Sequence, residues 1–124
     1  MRPHRYHTGI DIRTYGKNGD NVYAITDGYI YRIKVSNEGY GNVIYIKHDD
    51  DNISLYAHLS KFSPKIQKAI EQLQFKRNSY EIDHLLEPGL INVSKGDVIA
   101  LASFGFSINL VTLLIFPLIF FVKK

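Results

Sequence analysis

Hydrophobic and polar positions alternate with period two along most of the chain. Residues 29–35 show it most clearly: Tyr29, Tyr31, Ile33 and Val35 fall on one face, and Ile30, Arg32 and Lys34 on the other. Residues 22–25 read as a short strand, and the turn signal Asp27-Gly28 between the two segments predicts a hairpin. Residues 37–42 form the next turn, 43–48 a strand, and 49–52 another turn. In the strand 53–59 that follows, Ile53, Leu55, Ala57 and Leu59 share one face, opposite a polar-facing set of Ser54, Tyr56, His58 and Ser60. Segments 90–93 and 98–102 close the pattern as strands around the turn Ser94-Lys95-Gly96-Asp97. Short strands at this spacing predict an all-β domain, an antiparallel sheet folded over on itself.

One segment departs from period two. Ser63-Pro64 is a helix N-cap followed by proline at the first helical position, and Ile66, Ala69, Ile70 and Leu73 then recur at helical spacing. The spacing predicts a helix over about 64–76, inserted outside the β core. Ile66, Ile70 and Leu73 would pack on the sheet, with Lys65, Lys68 and Glu71 in water. Its lysines read as a solvated face and not as a nucleic-acid site.

Composition adds a boundary. The chain has 124 residues, 45% hydrophobic and 22% charged, which suits one domain. The absence of cysteine excludes a disulfide scaffold, a thiolate metal site and a Cys nucleophile. A net charge of +3 is too small to predict a nucleic-acid partner. Of the 27 charged residues, however, only Lys123 and Lys124 follow Asp97. The chain therefore divides into a β-domain, 1–103, and a hydrophobic tail, 104–124. Met1-Arg2-Pro3-His4-Arg5 leads straight into patterned sequence, with no signal peptide in this chain.

Two short segments carry candidate chemistry. In His7-Thr8-Gly9-Ile10-Asp11 the histidine and aspartate share a face of an extended strand. Imidazole nitrogen and carboxylate oxygen suit Zn²⁺, although the same spacing fits two polar residues near a strand end. In Tyr56-Ala57-His58-Leu59-Ser60, His58 takes the polar-facing parity. There it can meet a substrate oxyanion or a water, or simply be a half-exposed strand histidine. His48 reads as a turn residue, and His4 and His84 receive no role.

Taken in order, these pieces resemble the lysostaphin-type zinc metallopeptidases, which cut peptide bonds in bacterial peptidoglycan. The resemblance runs through His7-Thr8-Gly9-Ile10-Asp11, Asp27-Gly28-Tyr29-Ile30, Gly39-Tyr40-Gly41-Asn42-Val43-Ile44, Tyr56-Ala57-His58-Leu59-Ser60 and Val93-Ser94-Lys95-Gly96-Asp97-Val98. It implies a barrel-sandwich hybrid of the duplicated hybrid motif type. It makes His7 and Asp11 two of three zinc ligands, and His58 the catalytic histidine that borders the metal and stabilises the reacting carbonyl. It also implies peptidoglycan peptide cross-links as substrate and the bacterial cell envelope as location.

The family closes its site with a Gly-rich turn and a His-x-His pair, which supplies the third ligand and the general base. Here the chain reads Ser103-Phe104-Gly105-Phe106-Ser107-Ile108, and no two histidines are separated by one residue. The resemblance thus implies an incomplete domain, its Zn²⁺ weakly held or absent and its metallo-endopeptidase activity impaired or lost. The alternative is a non-catalytic cell-wall-binding or regulatory domain anchored to the membrane. The tail itself admits three readings. It is the product of a frameshift or truncation; or it is a tail anchor, contacting the membrane through 104–122; or it is a buried part of the fold. As a helix, the 21 residues of 102–122 would span about 31 Å, close to a bilayer core.

Overall fold

The computed structural model describes residues 5–13, 19–48 and 51–115, with side chains described for 19–48 and 51–111. Its strands are β1 (Arg5–Arg13), β2 (Asn21–Tyr23), β3 (Gly28–Val35), β4 (Asn42–Lys47), β5 (Asn52–Phe62), β6 (Ile82–Leu85), β7 (Asn92–Val93) and β8 (Val98–Ile115). One helix, α1 (Pro64–Arg77), lies between β5 and β6. The strands form an eight-stranded sheet in the order β1-β8-β5-β4-β3-β6, with β2 also on β8 and β7 also on β3. Every pairing is antiparallel. Among the described residues, the all-β class with one inserted helix is as the pattern predicts.

Two details differ. The expected hairpin between 22–25 and 29–35 does not form, because β2 pairs with β8, Val22 opposite Ala100. Gly28 opens β3 instead, where a Cβ would come within 2.9 Å of His48 Nδ1. That glycine serves close backbone approach and not a tight turn. The second difference lies within β3. Its pairing with β4 shifts between Ile30 and Arg32, so Ile30 joins Ile33 and Val35 in the core instead of sharing the face of Arg32 and Lys34. A bulge adds one residue and reverses parity beyond it.

Helix α1 begins and ends where sequence chemistry dictates. Ser63 is the N-cap in an extended conformation, with no side-chain cap bond; proline follows at the first turn. Asn78 ends the helix in the left-handed region, φ 51°, and Lys76 and Arg77 face the carbonyl end of its dipole. Ile66 and Ile70 are 2% and 1% exposed, members of the main core cluster, and Leu73 packs against it. Lys65, Lys68 and Glu71 are exposed. The helix is therefore not outside the core, because it contributes two of the core's isoleucines.

The tail is a strand as far as it is described. β8 runs through the compositional break, with 103–106 outside the paired register, and pairs with β2, β5 and β1 in turn. Its isoleucine, valine and threonine suit a strand paired on both sides. Among the described residues no helix is long and apolar enough to cross a membrane.

Candidate functional site

The site is built around an irregularity in β5. Against β4, Asn42 pairs with Leu59 and Ile44 with Tyr56, so Ala57 and His58 together oppose the single residue Val43. His58 takes φ 58°, the left-handed region that a branchless glycine would prefer. Such a conformation costs about 1–2 kcal/mol for an ordinary residue. Its effect is to exchange faces. Before the bulge Ser54 and Tyr56 point into the core, both 0% exposed; after it, Leu59 does, 3% exposed. His58 comes out on the opposite side with Leu55 and Ala57. The parity read from sequence, which grouped His58 with Ser54 and Tyr56, is thus corrected by the bulge.

On that face lies a cleft of about 390 Å³, lined by Tyr40, Val43, Leu55, Ala57, His58, Gly105, Ser107 and Asn109. β8 shapes its far wall. Between Ala102, opposite Leu59, and Ser107, opposite Ala57, four residues of β8 bow out against the one residue His58. Gly105 sits in this excursion at φ 85°, and a Cβ built on it would lie 3.9 Å from His58 Cγ. At the near wall the Tyr40 ring meets the imidazole edge-on, centroids 6.1 Å apart. The His58 N–H donates to the Tyr40 carbonyl at 3.0 Å.

His7 and Asp11 lie in β1, the strand beside β8, and their side chains are outside the described residues. The backbone register is clear. Asp11 pairs with Asn109, Gly9 with Val111 and His7 with Leu113. Asn109 pairs in turn with Leu55 of β5, so Asp11, Asn109 and Leu55 stand in one cross-strand row. β8 thus carries Asn109-Leu110-Val111-Thr112-Leu113 alongside His7-Thr8-Gly9-Ile10-Asp11, and it offers no histidine, carboxylate or thiolate there. Among the described residues no three metal-binding side chains come together. Asn109 Oδ1 is buried and has no hydrogen-bond partner among them.

His48 lies in the connection between β4 and β5, as read from sequence, but it is buried, 6% exposed. Its Nδ1 lies 2.6 Å from the Asp27 carbonyl, which can only accept, so this nitrogen carries the proton. Ser54 Oγ bridges His48 Nε2 at 2.8 Å and the Tyr56 hydroxyl at 2.7 Å, and the Ile25 N–H donates to the same hydroxyl at 3.2 Å. Burial pushes the Tyr56 phenol up, against hydrogen bonds from Ser54 and Ile25 that favour its ionised form. This polar chain fixes the core side of β5 two residues before the bulge. Elsewhere His84 Nδ1 lies 2.6 Å from Arg77, away from the cleft.

Sequence reasoning missed Tyr40, Ser107 and Asn109. The glycines flanking Tyr40 were a signal for an exposed, tightly turned residue, while Ser107 and Asn109 lie in a run whose apolar neighbours hide them. The model of peptidase family M23 matches residues 5–75. The chain belongs to that family. It is 46% identical over 50 residues to the murein hydrolase activator NlpD of Escherichia coli, covering 40% of this chain and 13% of NlpD. Over 63 residues it is 41% identical to the outer membrane antigenic lipoprotein B of Haemophilus influenzae, covering 51% of this chain and 15% of that protein. It is 46% identical over 59 residues to the DD-carboxypeptidase/endopeptidase Mpg of Neisseria meningitidis, covering 48% and 13% respectively. The chain thus matches only about an eighth to a seventh of these relatives' length. No solved structure matches it.

Proposed function

We propose that this chain is a peptidoglycan-directed M23 domain whose hydrolytic site is incomplete. His7 and Asp11 are the two remaining ligands of a zinc set, His58 borders them, and the substrate class is the peptide cross-link of the bacterial cell wall. The reading draws on the family match, on relatives named for murein hydrolase activation and for DD-carboxypeptidase/endopeptidase activity, and on an envelope location suggested by the lipoprotein relative. M23 peptidases are generally zinc-dependent. A catalytic zinc takes three protein ligands and keeps a fourth position open. The donor set here does not fit that requirement.

The observation that carries the impairment is the register of β8. The positions level with Gly9 and Asp11 are Val111 and Asn109, and their partners on β5 are Ile53 and Leu55. None of these supplies a third strong ligand or a base. A cleft with a histidine, a serine and an amide at its walls retains the means to bind a peptide by hydrogen bonds. The same missing donor, with the likeness to an activator, favours the second reading, a non-catalytic wall-binding or regulatory domain. The test is co-sedimentation with insoluble peptidoglycan beside an assay for released peptide fragments. We expect the chain to pellet with the wall while releasing no more peptide than buffer. Release that chelator abolishes would overturn the impairment, and failure to pellet would overturn the wall-directed reading.

A further inference from the structure

We infer that the turn Gly39-Tyr40-Gly41-Asn42 is a positioning device for His58, with Tyr40 and Asn42 as its working residues; this rests on the reading of His58 as a site residue. Three contacts from this one turn converge on the bulge. The Tyr40 carbonyl accepts the His58 N–H at 3.0 Å. The Tyr40 ring stands edge-on to the imidazole, interplanar angle 75°. Asn42 Nδ2 donates at 3.1 Å to the carbonyl of Leu59, the residue after His58.

The turn joins β3 to β4, and two glycines set its shape. Gly39 and Gly41 take φ 62° and 69°, and the Gly41 N–H closes onto the Glu38 carbonyl at 3.0 Å. Tyr40 is 65% exposed, so burial does not explain where its ring sits. Asn42 Oδ1 is buried with no hydrogen-bond partner, so its amide end alone accounts for the placement of the side chain. Gly105 completes the enclosure from β8, leaving the imidazole between a tyrosine edge and a glycine backbone.

The consequence is steric. In an unbulged strand, position 58 would share the parity of Ser54 and Tyr56 and face the core. The bulge sends His58 into the cleft, and the hydrogen bonds on either side of its strained residue hold it there. Tyr40 and Asn42 thereby decide whether the cleft contains a histidine. Neither needs to touch a substrate to do so.

The test is run on the full chain and its variants without metal or wall fragments, so failure of the zinc or peptidoglycan reading leaves it unaffected. Amide hydrogen exchange and the imidazole C–H resonances are followed by NMR in Asn42→Ala, Asn42→Asp and Tyr40→Ala, with Ile44→Val as a control for general destabilisation. Both Asn42 variants should speed exchange of the His58 amide by about tenfold or more relative to the β3–β4 amides, which Ile44→Val should not do. Tyr40→Ala should shift the imidazole resonances while the fold persists, since that side chain is exposed. If the Asn42 variants do not fold, the Tyr40→Ala resonances decide alone. Unchanged imidazole resonances in Tyr40→Ala, or His58 exchange that rises only in step with the control, would overturn the inference.

Discussion

At the scale of single residues, the backbone of His58 makes a claim separable from its ring. At φ 58° a glycine is at ease and an alanine is not. His58→Gly should therefore be more stable than His58→Ala by about 1 kcal/mol, the reverse of the usual strand preference. Urea unfolding of the two variants checks this, and a more stable alanine variant would show that the bulge relaxes. Tyr56 makes a second claim, through linkage. Its phenol is held protonated by burial, so the native state keeps that proton above the unfolded value of about 10. Stability from this source is complete below that pH and falls as pH rises toward the higher native value. Tyr56→Phe should cost about 1–3 kcal/mol near neutrality, since Ser54 and the Ile25 N–H lose a partner, and it should flatten the alkaline decline. A pH series of unfolding midpoints to about pH 11 measures both effects. Asp83 acts at the other end, its carboxyl held below the usual range by hydrogen bonds from Arg32. Its contribution is lost as pH falls through that lowered value, and exposure of the pair keeps it small.

At the scale of elements, the helix offers the clearest test. Ile70 is 1% exposed and joins the sheet's own core cluster. Ile70→Ala should cost about 2–4 kcal/mol, far more than a surface helix would lose. Removing α1 should unfold the chain, not leave an intact β circular dichroism spectrum. Periodicity made α1 legible almost to the residue, and it made β4 and the core of β5 legible as strands. What it could not supply was parity across bulges. Ile30 was assigned to the wrong face, and Ser54 and Tyr56 were wrongly grouped with His58, because one extra residue in each strand reverses everything beyond it. Pairing was equally hidden. A turn signal at Asp27-Gly28 is local, whereas the choice of β8 over β3 as the partner of β2 depends on contacts seventy-odd residues away. β6 was missed because Ile82-Asp83-His84-Leu85 is too short and too polar to announce itself.

At the scale of the whole molecule, the candidate site depends on what β8 brings to β1. The segment His7-Thr8-Gly9-Ile10-Asp11 was legible in sequence as candidate chemistry, and so was the absence of a His-x-His pair. The sequence did not reveal which residues of β8 lie beside that segment. The register does, with Asn109 level with Asp11 and Val111 with Gly9. The most direct measurement is zinc binding by equilibrium dialysis, with peptide release from peptidoglycan assayed in parallel, for the unmodified chain and for Asn109→His/Val111→His. We expect the unmodified chain to bind zinc weakly and to release nothing. The double variant should take up about one Zn²⁺ per chain at least a hundredfold more tightly, as a third ligand requires. Chelator-sensitive release in that variant would show that closing the site is enough for hydrolysis. Equal zinc affinity and equal release in the two chains would contradict the claim that β8 leaves this site incomplete.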